Sequence, residues 1–393
     1  MRYDFQWIAE HAAEDVARLR LRYGAERADD ILQIECRRRF GGKLRRTLAA
    51  NPEFVFPTAL AGEQSTSEAL ATYHSSLLED GERVADLTAG LGVDAMAMSL
   101  KANVVAVEME QLKVDALQLN ARHLPRLQAV CADCREWLAE QADGAFTTVF
   151  IDPARRAANG GRVYALSDCE PDVTAMLPQL RRVCKRLIIK ASPMLDITHT
   201  LSLLPDAVRV IALGTTTECK ELVIECHFDA SVAEPAIEAV TLNADGAVVS
   251  QMQFIRSEEV SAEAECTVPS EGMWLYDPYP AVMKAAPMRL LGARNGVSKL
   301  APQSHLWLST DRVDAFPGHA YRVERVEPCS SRILKQLANQ RVRASITTTN
   351  FPMTADVLRA RLRAADGPAR LFASTDSRGE RVLIFTSPYT PTT

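Results

Sequence analysis

Residues 83–94 read Arg-Val-Ala-Asp-Leu-Thr-Ala-Gly-Leu-Gly-Val-Asp, and they carry the strongest indication of a fold in this chain. A short apolar run around Asp86 is followed by a turn with Gly90 and Gly92, and then by a helix-forming segment, Ala95–Leu100. This order of strand, glycine turn and helix opens a nucleotide-binding α/β sheet. A Cβ in such a turn would hold the backbone away from a bound cofactor or clash at positive φ. The third glycine of the dinucleotide fingerprint is absent, which disfavours a pyrophosphate-binding loop.

Acidic residues end the next three strand-like runs. The second run, Asn103–Glu108, ends in a carboxylate that is placed to accept both ribose hydroxyls of an adenosine ligand. The third, Leu127–Asp133, ends in an acid suited to the adenine amino group, and the fourth, Thr147–Asp152, continues directly into Pro153. Each acid taken alone is better explained as a solvated strand-end residue or a helix N-cap. Their regular order favours one shared site.

A glycine turn, two acids and Asp-Pro at four successive strand ends is the layout of class I S-adenosylmethionine methyltransferases, which the sequence resembles over residues 60–230. The resemblance implies an α/β fold with a Rossmann-like seven-stranded sheet that ends in a hairpin near Glu221–His227, and S-adenosyl-L-methionine as cofactor. We expect an N-terminal helical subdomain over residues 1–60, the methyltransferase domain over 61–231 and a C-terminal α+β domain over 232–393. Within the last, Ala281–Leu291 is predicted to be one helix.

Further stretches resemble a bacterial family of methyltransferases with a THUMP-like C-terminal domain. They are Glu63–Glu68, Ile151–Arg156 followed by Asp168–Asp172, Leu275–Lys284 and Ala344–Pro352. The name implies a likeness to RNA-binding modules of tRNA-modifying enzymes, but the resemblance does not supply a substrate. The chain also has a weaker likeness to trimethylguanosine synthase. It lacks the Pro-Pro-aromatic motif that this family has at the fourth strand.

The segment before the first strand offers further cofactor contacts. Ser65-Thr-Ser-Glu68 has the form of a capping box, with Ser65 as the N-cap of a helix over Ala69–Leu78. Many methyltransferases also place the N-terminus of this helix beside the methionine carboxylate of the cofactor, where free N–H groups suit an anion. The predicted cofactor contacts are therefore Gln64, Ser65, Thr66, Asp86, Thr88, Gly90, Gly92, Glu108 and Asp133.

The turn after the fourth strand bears on the chemistry. Methyltransferases that act on exocyclic base amines usually have Asp/Asn-Pro-Pro-aromatic at this turn, whereas this chain has Asp152-Pro153-Ala-Arg155. Uracil-C5 methyltransferases also use Asp-Pro-x-Arg, but they need a nucleophilic cysteine, and none stands in Lys190–Met194. We therefore expect direct in-line transfer at a turn formed by Asp152 and Pro153, with Asp152 orienting or polarising the acceptor heteroatom.

Two groups of residues are predicted to hold the substrate. Arg155, Arg156 and Tyr164 follow the catalytic turn, where a guanidinium can stack on a base or bind a phosphate. Salt bridges of the arginines to Asp168, Glu170 or Asp172 are the alternative. The run from residue 37 to 46 holds six basic residues in ten, and it is either a solvated helix face or a phosphate-binding patch with Phe40 free to stack. The residues predicted for that patch are Arg37, Arg38, Lys43 and Arg45.

Composition limits the class of protein. The chain has 393 residues with 47% hydrophobic and 24% charged residues, which is ordinary for a globular protein, and a net charge of −5. Any attraction to nucleic acid must therefore be local. Nine cysteines without a disulfide-like framework, no signal peptide and no eighteen-residue apolar span predict a cytoplasmic protein with no membrane contact. No metal site is expected.

Three functions remain open from the sequence. The first is an S-adenosylmethionine-dependent methyltransferase that acts on RNA, either tRNA or rRNA. The second is a methyltransferase for a protein or a small molecule. The third is a catalytically silent RNA-binding protein that keeps the cofactor fold. The sequence predicts neither the methylated atom nor the oligomeric state.

Overall fold

The computed structural model describes residues 3–155 and 165–387, with Arg155 described by its main chain alone. The chain divides into two compact units. The first comprises Met1–Val210, Glu221–Ala233 and Leu242–Val248, and the second comprises Ile211–Lys220, Glu234–Thr241 and Val249–Thr393. The chain thus passes between the two units several times.

Helices form the start of the first unit, as the N-terminal sequence predicts. They are α1 Phe5–Glu10, α2 Val16–Tyr23, α3 Ala28–Phe40, α4 Arg45–Ala50, α5 Ala59–Gln64 and α6 Glu68–Ser76. Asp4, Asp15 and Thr58 cap the first turns of α1, α2 and α5, because each side chain accepts a hydrogen bond from a backbone N–H that the helix leaves unpaired. Cys36 and Phe40 of α3 pack with Phe54 and Phe56.

A mixed sheet follows the helices. Its strands and two short neighbours are β1 Arg83–Asp86, β2 Asn103–Glu108, β3 Leu127–Cys131, β4 Phe146–Ile151, β5 Ala154–Arg155, β6 Cys169–Glu170, β7 Cys184–Ala191, β8 Ala207–Thr215, β9 Cys219–His227, β10 Ala236–Leu242 and β11 Val248–Phe254. The intervening helices are α7 Val93–Met98, α8 Gln111–Asn120, α9 Cys134–Ala139, α10 Val173–Val183 and α11 Ile197–Leu203.

The strand order of this sheet is β11-β10-β8-β9-β7-β4-β1-β2-β3, while β5 and β6 form a separate hairpin. From β3 to β7 the paired strands are parallel, and β9 runs antiparallel to β7. The seven strands from β3 to β8 have the order of a class I methyltransferase sheet, so the predicted fold class is confirmed.

The register of the parallel strands places the predicted acids at one edge. Asp86, the last residue of β1, pairs with Ala106 on one side and Phe150 on the other. Glu108 is the last residue of β2, and Asp152 directly follows β4. Because the carboxyl ends of parallel strands meet at the same edge of a sheet, these side chains surround one crevice, where ligands of such sheets bind.

The second unit contains a sheet of its own. After α12 Arg256–Ser261 its elements are β12 Trp274–Pro278, α13 Pro280–Ala285, α14 Met288–Asn295, β13 Ser298–Lys299, β14 Trp307–Ser309, β15 Gly318–Pro328, α15 Ser331–Gln340, β16 Arg343–Thr348, α16 Ala355–Leu362, β17 Ala365–Thr375 and β18 Arg381–Thr386. The strand order is β13-β14-β12-β15-β18-β17-β16. The single helix predicted over Ala281–Leu291 is wrong, because Ala286 adopts a left-handed conformation and Pro287 follows it.

Candidate active site

The turn after β1 is built around two glycines with positive φ. Gly90 has φ +55° and Gly92 has φ +80°. A Cβ on Gly92 would lie 2.2 Å from a methyl carbon of Leu117, so only glycine fits there. A Cβ on Gly90 would meet nothing nearer than the Thr88 carbonyl oxygen at 4.0 Å, so open space lies beside this turn. A nucleoside ligand could therefore approach the backbone at Gly90 closely.

Glu108 is fixed against the same turn. Its Oε2 accepts a hydrogen bond from the Gly90 N–H at 3.0 Å, and its Oε1 accepts one from the Glu110 N–H at 2.9 Å. The residue is buried, with 8% of its surface exposed. A carboxylate held by two backbone amides has a fixed orientation, which suits recognition of a ribose diol. The residues at this turn therefore fit an adenosine-containing cofactor.

Asp133 lies two residues beyond β3, at the N-cap of α9. Its carboxylate accepts a hydrogen bond from the Arg135 N–H at 2.8 Å and forms an ion pair of 2.7 Å with the Arg135 guanidinium. The hydrogen bonds and charge of Arg135 lower the pKa of Asp133 to about 2. The carboxylate is therefore ionised at neutral pH and can only accept hydrogen bonds.

The segment before α6 differs from its prediction. Ser67, and not Ser65, is the N-cap of α6, and its hydroxyl accepts from the Leu70 N–H. Ser65 ends α5 and donates to a carbonyl of that helix. Glu68 accepts from the N–H groups of Arg46 and Thr47. The predicted capping box is wrong, because α5 continues to Gln64 and the next helix starts three residues after Ser65.

Asp152 forms an ion pair that the sequence analysis missed. Its Oδ2 lies 2.5 Å from the Lys190 Nζ, which also donates to the Thr66 hydroxyl at 2.9 Å. The Asp152 N–H donates to the Thr88 hydroxyl at 2.7 Å. The Asp152 side chain is 40% exposed, whereas that of Lys190 is 12% exposed. The buried Lys190 thus holds the Asp152 carboxylate, which remains accessible at the carboxyl end of β4.

The Lys190 ammonium belongs to a larger buried network. Burial alone would lower the pKa of Lys190, but the charges of Asp152, Asp94 and Glu221 outweigh burial and raise it. Lys190 Nζ lies 3.9 Å from Asp94, which accepts a hydrogen bond of 2.5 Å from the Thr66 hydroxyl. Lys190 therefore stays protonated and fixes both carboxylates.

His74 lies between two carboxylates in the interior of the first unit. Its Nδ1 lies 2.7 Å from Asp94 Oδ1, and its Nε2 lies 2.5 Å from Glu221 Oε1. Burial alone would lower the pKa of His74, but the charges of Glu221 and Asp94 raise it to about 10. The side chain is therefore an imidazolium that donates both hydrogen bonds. It links α6, α7 and β9 by charge.

Asp86 adds a further acid to this network. It is 1% exposed and accepts a hydrogen bond from the Thr88 N–H at 3.2 Å. Burial, together with the negative charge of Asp94, raises the pKa of Asp86 to about 8. Asp86 is therefore mostly protonated at neutral pH, and the three carboxyl groups that remain, Asp94, Asp152 and Glu221, outnumber the two cations, Lys190 and His74. Such a site favours a ligand with positive charge.

The residues predicted to follow the catalytic turn are only partly described. Pro153 is buried, and the main chain of Arg155 pairs with Cys169 in the β5–β6 hairpin. Arg156 and Tyr164 lie outside the described residues. Among the predicted salt-bridge partners, Glu170 forms an ion pair of 2.8 Å with Arg135.

Two arginines of the basic run bind the protein itself. The Arg37 guanidinium donates to the carbonyl oxygens of Pro52 and Phe54, each at 2.7 Å, and burial lowers its pKa. Arg38 donates to the Ala12 carbonyl oxygen at 2.6 and 3.0 Å. Neither side chain is simply a solvated charge, because both tie helices to neighbouring loops.

Lys43 and Arg45, the other two residues of the predicted patch, contact different parts of the protein. Lys43 donates to the carbonyl oxygens of Glu63 at 2.9 Å and Ser65 at 2.6 Å. Arg45 is 72% exposed and pairs with Asp245 at 3.0 Å. The four predicted side chains thus have four different sets of partners.

Phe40 is not free to stack on a base. It is 7% exposed and packs in the core with Leu44, Phe54 and Phe56. That part of the prediction is wrong, because Phe40 ends α3 on the face that the helix buries.

The sequence analysis missed His74, Asp94, Lys190 and Glu221. Lys190 had a usable signal, since it directly follows the apolar residues Leu187–Ile189 at the end of the fifth long strand. His74 and Glu221 had none, because 147 positions separate them in the chain. Their contact depends on the tertiary fold.

The described part of the chain contains no group of three or more His, Cys, Asp or Glu side chains arranged to hold a metal ion. Within residues 3–155 and 165–387, no helix has the length and apolar character that crossing a membrane requires.

Two sequence-family models match the C-terminal part of the chain. One describes a ferredoxin-like domain and matches residues 274–317, and the other describes a THUMP-like domain and matches residues 318–388. The THUMP-like match therefore covers only the last part of the region from 232 to 393.

Full-length relatives are similar over nearly the whole chain. A candidate methyltransferase from Porphyromonas gingivalis W83, known from a crystal structure, is 30% identical with a TM-score of 0.88, and the match covers 98% of this chain and 97% of that chain. An uncharacterized S-adenosylmethionine-dependent methyltransferase of Mycobacterium tuberculosis H37Rv is 28% identical over 357 residues, which are 88% of this chain and 91% of the relative. The chain therefore belongs to the S-adenosylmethionine-dependent methyltransferases, in the bacterial family with a THUMP-like C-terminal domain.

Proposed function

We propose that this enzyme methylates RNA, either tRNA or rRNA, by direct in-line transfer at the edge of β4. The observation that carries the proposal is the Asp152 carboxylate, which Lys190 holds at 2.5 Å while the side chain stays 40% exposed. This acid lies at the same sheet edge as the Gly90–Glu108 contact. Acceptor and cofactor groups would therefore meet there.

The cofactor residues divide by the part of S-adenosylmethionine that they would hold. Glu108 would accept hydrogen bonds from the ribose hydroxyls, and Asp133 would accept one from the adenine amine. The turn at Gly90 and Gly92 would leave space for the methionine part of the cofactor to approach the backbone closely. Further contacts to that part would come from Gln64, Ser65, Thr66, Asp86 and Thr88.

S-adenosylmethionine supplies an electrophilic methyl group on a cationic sulfonium. The acidic groups at this end of the crevice suit that charge. Asp152 would accept a hydrogen bond from the acceptor N–H or O–H and so orient the heteroatom for attack. Because Lys190 and the Thr88 hydroxyl fix the carboxyl group and its backbone, the orientation is preset. Pro153 would shape the turn, and Arg155, Arg156 and Tyr164 would hold the substrate.

RNA is favoured by a local concentration of positive charge in the THUMP-like region. Residues 331–365 contain seven cations and one acid, in a chain with net charge −5. The exposed cations of this segment are Arg332, Lys335, Arg341, Arg343, Arg361 and Arg363. Such a segment is the electrostatic footprint of a nucleic-acid surface. In the N-terminal run, the side chain of Arg45 is 72% exposed and pairs with the exposed Asp245.

A labelling experiment separates the candidate substrates. An extract from cells that lack this gene is incubated with the purified enzyme and tritiated S-adenosylmethionine, then divided and treated with ribonuclease or with protease. We expect ribonuclease to release the label and protease to leave it. Release by protease, or label only in small molecules, would support the second function, and no label above an enzyme-free control would support the silent RNA-binding protein.

A further inference from the structure

A cavity lies within the C-terminal unit, and none of the predicted cofactor residues lines it. Its volume is about 750 Å³, within the range of ligand-binding pockets. Its lining combines aromatic, guanidinium and amide side chains, among them Trp274, Tyr279, Arg294, Arg312, Asn295 and Gln253. Nothing in the methyl-transfer mechanism uses this cavity.

Trp274 provides a rigid aromatic wall. It is the first residue of β12, and its backbone pairs with Ser309 of β14 on one side and with Arg322 of β15 on the other. The side chain is half-buried. An indole anchored in the middle of a sheet loses little freedom when a flat ligand stacks on it, which is the arrangement that single-stranded nucleic-acid binders use.

Two guanidinium groups lie over this indole. The Arg312 Cζ is 5.1 Å from the ring centroid, and the Arg322 Cζ is 5.4 Å from it. Arg312 lines the cavity, whereas Arg322 does not. Arg312 also pairs with Asp314 at 2.7 Å, and its side chain is 39% exposed. Arg312 is thus a partly exposed cation beside the Trp274 ring in the wall of the cavity.

A second cation lies on the cavity wall. The Arg294 Nη1 donates to the Gln253 carbonyl oxygen at 2.7 Å, and the Nη2 lies 3.2 Å from Glu258. The side chain is 39% exposed, so part of the guanidinium faces solvent. A ligand that is both planar and anionic matches this combination of indole, two arginines and amides.

We propose that the cavity binds one unpaired nucleotide of the RNA substrate, with the base stacked on Trp274 and the phosphate bound by Arg312 and Arg294. The base would replace the Arg312 guanidinium on the indole face, which frees Arg312 to bind the phosphate, and Asn295 and Gln253 offer amides to the edge of the base. This site rests on the proposed RNA methyltransferase function. It differs from the active site because the bound nucleotide is held and not methylated.

Fluorescence anisotropy with a 3′-fluorescein 12-nucleotide single-stranded RNA and the full-length enzyme tests the site. We expect Trp274→Ala to weaken binding about tenfold or more, because a base–aromatic stack is removed. Trp274→Phe keeps a ring and should recover most of the affinity. Arg312→Ala and Arg294→Ala combined should reduce the salt slope by about 0.7, because the two side chains bind one phosphate. Trp137→Phe, a partly buried tryptophan of the first unit, is the matched control.

Each outcome decides between the two proposals. Affinity for S-adenosylmethionine, measured by calorimetry, should be unchanged in Trp274→Ala, which shows that the first unit is folded, and a thermal unfolding curve like that of Trp274→Phe shows that the second unit is folded. If the parent and Trp274→Ala bind the RNA equally, the nucleotide site is overturned and the RNA methyltransferase stands. If the parent binds no RNA at low salt, the proposed RNA function fails, and the nucleotide site fails with it.

Discussion

The Lys190 Nζ lies 2.5 Å from the Asp152 Oδ2, so that the turn after β4 is tied by charge to the end of β7. Lys190 is the more buried partner, and it also contacts Thr66. The ion pair therefore connects a predicted catalytic acid to a predicted cofactor residue. Substitutions at this ion pair and at neighbouring residues therefore test the proposed methyl transfer.

Removal of the Asp152 charge should separate chemistry from cofactor binding. We expect Asp152→Asn to lower kcat about a hundredfold or more and to leave the Kd of S-adenosylmethionine within about twofold, because the role proposed for Asp152 is toward the acceptor. Lys190→Arg keeps a cation beside Asp152 and should lose less activity than Lys190→Met. Calorimetry and a methyl-transfer assay provide the two readouts. A large loss of cofactor affinity in a folded Asp152→Asn would place this acid in the cofactor site.

Glu108 should contribute mainly to cofactor affinity. Loss of a buried charge-assisted hydrogen bond costs about 1.5–3 kcal/mol, so Glu108→Ala should weaken S-adenosylmethionine binding by about one to two orders of magnitude. Glu110→Ala is the matched control, since that neighbouring side chain is 59% exposed and pairs with Lys113. Parent-like affinity in a folded Glu108→Ala would show that the ribose is held elsewhere.

The buried imidazolium of His74 predicts a pH dependence of stability. Its pKa is raised from 6.5 to about 10, so the native state keeps a proton that the unfolded state releases. The stability contribution is full below about pH 6.5 and is lost as pH rises through 10. Between pH 8 and 10, above the pKa of Asp86, the free energy of unfolding of the parent should fall.

His74→Leu should make that decline shallower, and the slope that remains comes from buried cysteines such as Cys184 and Cys226, whose pKa values are raised by burial. At pH 7 the free energy of unfolding of His74→Leu should be about 3–5 kcal/mol lower than that of the parent, because two buried carboxylates lose their partner. Urea denaturation at several pH values measures both effects. A parent profile that is flat from pH 8 to 10 would mean that His74 is neutral in the native state.

The positive charge of the THUMP-like region should set the salt dependence of RNA binding. We expect alanine at Arg341, Arg343, Arg361 and Arg363 to lower the slope of log affinity against log salt by about 0.7 for each RNA phosphate that is no longer neutralised. Arg45→Ala tests the N-terminal run in the same way. Cofactor affinity should not change. An unchanged slope in the quadruple variant would move the RNA surface away from this region.

The run of basic residues predicts that Arg37 and Arg38 bind phosphate, whereas in the structure both side chains donate to backbone carbonyl oxygens. A run of charges does not reveal which side chains reach backbone carbonyls, because those carbonyls belong to loops distant in the chain, 15 residues away for Pro52 and 26 for Ala12. The sequence located the strand-end acids better. The β2 strand ends at Glu108 as predicted, since the apolar run and the acid are local features.

Local signals also explain the errors at helix boundaries. Ser65 and Ser67 both stand before Glu68, and sequence alone does not show that α5 extends far enough to exclude Ser65 from the N-cap. The pairing of His74 with Glu221 depends on long-range folding, so it was beyond any pattern in the chain. The strand order was predictable because regular motifs had spacing typical of one family.

The central claim is that this enzyme transfers a methyl group to RNA. The most direct measurement is the transfer of tritium from labelled S-adenosylmethionine to purified RNA from cells that lack this gene, compared with RNA from the parent strain and with the Asp152→Asn enzyme. We predict label in the RNA from the gene-deleted cells, little in the parent RNA because its sites are already methylated, and little with Asp152→Asn. Equal absence of label in both RNA samples, with an enzyme that binds S-adenosylmethionine, would contradict the claim.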